Sequence, residues 1–139
     1  MVAPLHGTAV AIAGRGVLLL GPSGSGKSDL AMRLIDRGAR LVADDYVLAL
    51  PRGGRLYLSA PPAIAGRIEV RGLGLLSLPA LGDVPAALAV DLEHPPERLP
   101  DAAAMAISGV ELPLVRLRPF EASAPVKLEW ALARTGFPA

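Results

Sequence analysis

Eight residues, Gly21-Pro22-Ser23-Gly24-Ser25-Gly26-Lys27-Ser28, constrain this chain more than any others. Their glycines permit backbone dihedrals that a side chain forbids, so the segment can curl into a ring with its N–H groups pointing inward. The pattern G-x-x-x-x-G-K-[ST] is met without a departure, and residue frequencies produce it by chance in roughly 1% of chains this long. Its flanks narrow the reading. Before it stands the apolar run Val17-Leu18-Leu19-Leu20. After it Leu30, Leu34 and Ile35 recur at helical spacing, and Gly38 supplies a helix stop. Strand, glycine-rich loop and helix in that order make a P-loop. Backbone N–H groups and the helix N-terminus hold phosphate, Lys27 reaches the β- and γ-phosphates of a nucleoside triphosphate, and the Ser28 hydroxyl ligates Mg²⁺.

The rest of the chain surrounds that loop with strands. Residues 8–13 read as a strand and Ala13-Gly14-Arg15-Gly16 as a turn, giving an antiparallel hairpin that feeds the P-loop where most such domains have a parallel strand. Residues 40–43 begin a strand ending in Asp44-Asp45, expected beside the P-loop strand. Residues 47–50 and 56–59 flank Pro51-Arg52-Gly53-Gly54-Arg55 as a second hairpin. Residues 64–78, with Gly66, Gly72 and Gly74, read as a loop with strand character at its edges. Residues 85–92 and 112–117 are strands, and Ser123 caps a last helix running from near Pro125 to Gly136. The expectation is one α/β domain over residues 1–139 with a mixed sheet.

Composition bounds the setting. Hydrophobic residues make up 52% of the chain and mean hydropathy is +0.44, yet no apolar run approaches the ~18 residues of a membrane span. The surplus apolar surface is therefore expected between subunits. A net charge of +1 gives no electrostatic footprint for nucleic acid. The start, Met1-Val2-Ala3-Pro4-Leu5-His6, lacks the basic and apolar regions of a signal peptide, and there is no cysteine; both favour a cytoplasmic protein.

Outside the P-loop, Asp44-Asp45 is the pair most suited to chemistry. A carboxylate at the end of that strand can accept a proton from a substrate hydroxyl or hold Mg²⁺, and neighbouring residues of a strand face opposite ways, so one of the two faces the phosphates. Asp91 keeps open the alternative of a switch-type or motor-type site with its acid on a later strand. Alternation puts Arg67, Glu69 and Arg71 on one face, as a metal- and phosphate-bridging set or as a surface salt-bridge strip. His6 reads as structural or functional, His94 as a solvated loop residue, and Arg98 and Arg118 are unremarkable alone, although an arginine clamp on phosphate is common chemistry.

Taken together, Leu5-His6-Gly7, the P-loop with Asp29, Arg37-Gly38, Leu41-Val42-Ala43-Asp44-Asp45 and Ile68-Glu69-Val70-Arg71-Gly72-Leu73-Gly74 resemble the C-terminal domain of HPr kinase/phosphorylase over residues 5–78. The resemblance implies a P-loop fold akin to phosphoenolpyruvate carboxykinase, a hexamer, and ATP-dependent phosphorylation of a serine on the phosphocarrier HPr, with removal of that phosphate by inorganic phosphate. It also implies the functional set His6, Lys27, Asp45, Glu69 and Arg98. Asp45 is then the proton acceptor for phosphorylation and donor for the reverse reaction, and Ser28 and Glu69 are the Mg²⁺ ligands. Three departures matter. The family's usual N-terminal domain is missing, as in shorter bacterial members. Asp29 stands where the family commonly has Glu. Arg116-Leu117-Arg118-Pro119-Phe120 matches only loosely the segment the family uses for dephosphorylation, so kinase activity is the better supported direction. The competing expectations are a small-molecule P-loop kinase and a nucleotide-binding regulatory module with little turnover.

Overall fold

A computed structural model describes residues 3–139; Met1 and Val2, which belong to the N-terminal stretch read above, lie outside the described residues. Strands β1 (Leu5–Ile12) and β2 (Arg15–Leu20) form the expected hairpin, with Gly7 opposite Leu20 and Ile12 opposite Arg15. The turn is two residues rather than four. Ala13 and Gly14 both take positive φ, 51° and 78°, the mirror-image turn whose twist suits paired strands. The same device joins β4 (Tyr46–Arg52) to β5 (Arg55–Ser59) through Gly53-Gly54, and β9 (Ala103–Ile107) to β10 (Val110–Arg116) through Ser108-Gly109.

Beyond β2 the chain enters the P-loop and then α1 (Lys27–Asp36), which ends where Gly38 takes φ 109°. Next comes β3 (Arg40–Ala43), and here the expectation fails. β3 pairs with β1, not with the P-loop strand, because the incoming hairpin strand already occupies that edge of β2. The other edge of β2 is taken by β8 (Val84–Asp91), parallel to it with Leu20 opposite Asp91, and β10 lies parallel on the far side of β8. The order across the site is thus β3, β1, β2, β8, β10, β9. β4 and β5 bridge β1 to β8 and close a ring of pairings, giving a mixed α/β fold.

Alternating strand residues face two cores. Val10, Val17, Leu19, Leu88 and Val90 meet Leu30 and Leu34 of α1 and Leu128 and Leu132 of α2 (Ala124–Thr135). Ala9, Ala11, Leu18 and Ala89 face the inside of the ring with Val47, Leu56 and Leu58. Residues 64–78 differ from the expected loop. After a 3₁₀ turn at Pro62–Ile64 they form a hairpin, β6 (Arg67–Val70) and β7 (Gly74–Ser77), anchored by the buried Ile68. β9 has no counterpart in the sequence reading, since small Ala103, Ala104 and Ala106 give little strand signal. Ser123 stands at the cap position of α2, yet its side chain makes no cap hydrogen bond, since it takes helical dihedrals (φ −81°, ψ −4°) that turn it away from the first-turn N–H groups.

These observations rank two substitutions. Leu88→Ala, in a fully buried position, lowers the free energy of urea unfolding by about 2–5 kcal/mol. Ser123→Ala lowers it by less than about 0.5 kcal/mol, because no capping bond is lost.

Candidate active site

The P-loop meets the demands of an anion cradle. Gly24 and Gly26 take φ 83° and 91°, and α1 begins at Gly26 without a side-chain cap, so the N–H groups of its first turn are left to an anion. A Cβ at Gly21 would stand 2.5 Å from the Ser25 hydroxyl, so only glycine closes the ring there. The buried Ser25 Oγ has no hydrogen-bond partner in the protein, an orphan that phosphate oxygens would satisfy. Lys27 Nζ folds back over the loop onto the carbonyls of Gly21 (2.6 Å) and Pro22 (3.0 Å). Burial pushes its pKa below the ordinary lysine value, opposed by the nearby charges of Asp45 and then Asp44. A bound phosphate adds the same kind of opposing charge.

The two adjacent acids are placed differently. Asp44 is buried. Its Oδ1 accepts from Thr8 Oγ1 on β1 (3.0 Å) and from Ser28 Oγ on α1 (2.6 Å), and its Oδ2 accepts from the Glu69 backbone N–H on β6 (3.0 Å). One carboxylate thus ties together the three segments of the site. With the Ser28 proton committed to Asp44, the hydroxyl lone pairs remain available to a cation. Asp45 follows in the left-handed region, φ 69°, and that kink turns its side chain outward, 63% exposed. Its Oδ1 lies 3.2 Å from His6 Nε2, and the His6 ring leans on Tyr46 with centroids 5.6 Å apart.

A cavity of about 340 Å³ gathers the set. Its wall includes Gly24, Lys27 and Ser28 from the P-loop, Asp45, and Glu69 with Arg71 from the β6–β7 hairpin. Arg67 and Glu69 share the exposed face expected from alternation, but no ion pair among the described residues involves Arg67, Glu69 or Arg71. A magnesium ion held mainly through substrate phosphates needs only one or two protein oxygens, and Ser28 with Glu69 supplies that number. The donor set therefore fits the nucleotide and its metal. Thr8 also lines this cavity; an isolated threonine in a strand carries no motif, so sequence reasoning missed it.

Other candidates stand apart. Asp91 ends β8 beside the P-loop strand, but its carboxylate accepts from the backbone N–H of Glu93 (2.8 Å), pairs with the His94 ring (2.8 Å) and lies 3.4 Å from Arg116. Ser28 gives its proton to Asp44 instead. His94 is exposed apart from that contact, Arg118 pairs with Glu121 at 3.8 Å, and Arg98 is exposed in the irregular segment after β8, away from the cavity wall.

Two measurements follow from this geometry. Asp44→Ala strands three donors and lowers unfolding free energy by about 1–3 kcal/mol, whereas Asp45→Asn changes it by less than about 0.5 kcal/mol, since asparagine tolerates the left-handed region. For Asp91, burial acts to raise the pKa, but hydrogen bonds from Glu93 N–H and from the ring and backbone of His94 outweigh it and hold the carboxyl below its usual range. The folded value is depressed, so this contribution to stability is present above the ordinary aspartate pKa and is lost as pH falls through the folded one. Asp91→Asn accordingly flattens the acid limb of the stability–pH curve, read from urea melts.

The chain is similar to known proteins in sequence and in fold. The family model described as "HPr Serine kinase C-terminal domain" matches residues 2–84, more than half of the chain. An HPr kinase/phosphorylase of Clostridium tetani is 49% identical over 77 residues, covering 55% of this chain and 25% of that protein. One of Caldanaerobacter subterraneus subsp. tengcongensis is 47% identical over 92 residues, covering 63% of this chain and 30% of that protein. The matched stretch thus spans between a quarter and a third of the length of these relatives. A solved structure, the Hpr(Ser) kinase/phosphatase of Coxiella burnetii, superposes with a TM-score of 0.81 over 94% of both chains at 24% identity, which speaks to the fold alone. With its P-loop, acid pair and Glu-Val-Arg-Gly-Leu-Gly hairpin inside the matched residues, the chain belongs to the HPr serine kinase C-terminal domain family.

Proposed function

We propose that this chain transfers the γ-phosphoryl group of ATP to a serine hydroxyl on an HPr-like phosphocarrier protein. The observation that carries the reading is Asp45, an exposed carboxylate facing the same cavity as Lys27 and Ser28 and held by His6. Lys27 and the P-loop amides bind and orient the phosphates, and Asp45 takes the proton of the attacking hydroxyl as the new O–P bond forms and the bond from the γ-phosphorus to the departing ADP breaks. His6 fixes the Asp45 side chain. Ser28 and Glu69 would hold the Mg²⁺, whose charge offsets that developing on the phosphate oxygens. The role of Arg98 rests on the family resemblance.

A protein substrate is favoured over a small one by the rim. Tyr46 stands exposed beside Asp45, and Leu73 and Leu75 are 71% and 64% exposed on the β6–β7 hairpin, apolar surface suited to a macromolecular partner. The same exposure, with Leu99 and Trp130 elsewhere, supports a homo-oligomer, for which a hexamer is the family's form. Inorganic phosphate seated where the γ-group lies would attack phosphoserine, forming pyrophosphate, while Asp45 returns the proton to the serine oxygen. The loose match at residues 116–120 leaves this reverse reaction the less supported direction. Among the described residues no helix is long and apolar enough to cross a membrane, in keeping with a cytoplasmic enzyme.

The deciding experiment incubates the protein with labelled ATP, Mg²⁺ and an HPr-type protein. Label on a serine of that protein is expected. Label on a small alcohol alone would move the assignment to a small-molecule kinase, and nucleotide binding without transfer would move it to a regulatory module. Asp45→Asn is expected to lower kcat by ~10²–10⁴-fold with ATP affinity kept. Glu69→Gln raises the Mg²⁺ concentration needed for half-maximal activity, since it removes one charged oxygen ligand.

A further inference from the structure

The sheet order gives the P-loop two flanks. On one side of β2 stand β1 and β3, whose ends bring His6, Asp44 and Asp45; on the other stand β8 and β10. Phosphates cradled at the P-loop with their transferring end toward Asp45 must therefore lead away toward the ends of β8 and β10. A second cavity, about 540 Å³, opens there between the segments that follow those two strands. Leu92, Pro95, Leu117, Pro119 and Phe120 make most of its wall, with Glu93, His94, Arg118 and Glu121 also lining it. Phe120 lines both cavities and stands between them.

Phe120 is one of only two phenylalanines in the chain, and it is 69% exposed rather than in either core. Its place is nonetheless held. A Cβ on Gly26 would lie 2.9 Å from the ring's Cζ, so the bare glycine is what lets the ring rest against the P-loop. Arg33 of α1 donates to the carbonyl oxygens of Pro119 and Glu121, which bracket Phe120. An exposed aromatic ring thus stands beside the phosphate cradle, at the wall it shares with the second cavity.

We propose that Phe120 is the stacking platform for the nucleotide base, in a subsite built by the segments after β8 and β10. The assignment rests on the nucleotide-binding reading of the P-loop. A π-face stacks on any base, and losing such a contact is expected to weaken binding on the order of tenfold.

The test compares ATP with inorganic tripolyphosphate, which offers phosphates without a base, by calorimetry in the presence of Mg²⁺. The unaltered protein should bind ATP the more tightly. Phe120→Ala should raise the Kd for ATP roughly tenfold while leaving that for tripolyphosphate within about twofold. Phe120→Trp should keep ATP affinity, and Trp130→Ala, at another exposed aromatic, should alter neither ligand. Lys27→Ala should weaken both. Equal weakening of both ligands by Phe120→Ala would mean that the ring only shapes the P-loop, and would overturn the proposal; so would an unchanged ATP affinity. If the unaltered protein bound neither ligand, the P-loop reading would fall and the base subsite with it. Matched thermal melts keep unfolding out of the comparison.

Discussion

The site depends on one buried carboxylate. Asp44 accepts from Thr8, Ser28 and the Glu69 backbone, so a strand, the P-loop helix and the β6–β7 hairpin are fixed relative to one another through two oxygen atoms. A buried charge is costly unless its lone pairs are satisfied, and three donors meet that need. The arrangement also orients Ser28, because a hydroxyl proton committed to Asp44 leaves its lone pairs toward the cavity. Without Asp44 the hairpin carrying Glu69 loses its only side-chain tie to β3 among the described hydrogen bonds. The carboxylate read from sequence as the lesser of the pair is therefore the one that assembles the other groups.

Much of this was legible because it is local. The P-loop, the helix after it and the hairpins β1–β2 and β4–β5 depend on neighbours in sequence, and glycine at the turning points marks them. The pairing of β2 with β8 was not legible, since their residues lie far apart in sequence and their middles are apolar without alternation. The position of β3 failed for a related reason: an apolar strand ending in two acids suits either edge of a sheet, and only the inserted hairpin decides which edge is free. Residues 64–78 hid a hairpin because Gly72 and Gly74 read as loop signals, whereas here they turn the chain between strands, with φ 88° and 99°. Phe120 entered the sequence reading only within the loosely matching segment 116–120, with no role of its own. Its meaning comes from Gly26 and Arg33, which are distant in the chain and adjacent in space.

The hairpin that feeds the P-loop has a second consequence. Inserting β1 between β2 and β3 moves the acid pair one strand further from the phosphate cradle than a direct neighbour would stand. Thr8 and His6, both on β1, fill that gap: Thr8 bonds Asp44, and His6 meets Asp45. The histidine and threonine are thus the contribution of the inserted strand to the site, and each reaches one of the two acids.

What separates those acids is the backbone between them. Asp44 stays buried like the end of β3 before it, where Val42 and Ala43 are buried, whereas Asp45 takes a left-handed φ of 69°. Aspartate enters that region more readily than most residues, so the kink costs little, and it rotates the second carboxylate into the open mouth of the cavity. There Asp45 is 63% exposed and its partner His6 is 38% exposed. A carboxylate so near the surface is poorly placed to exclude water around a small substrate. It is well placed for a hydroxyl carried on another protein, whose own surface would close the cavity as it docks. On the proposed function, the open geometry of Asp45 is therefore part of substrate selection: the partner completes an enclosure that this chain leaves unfinished.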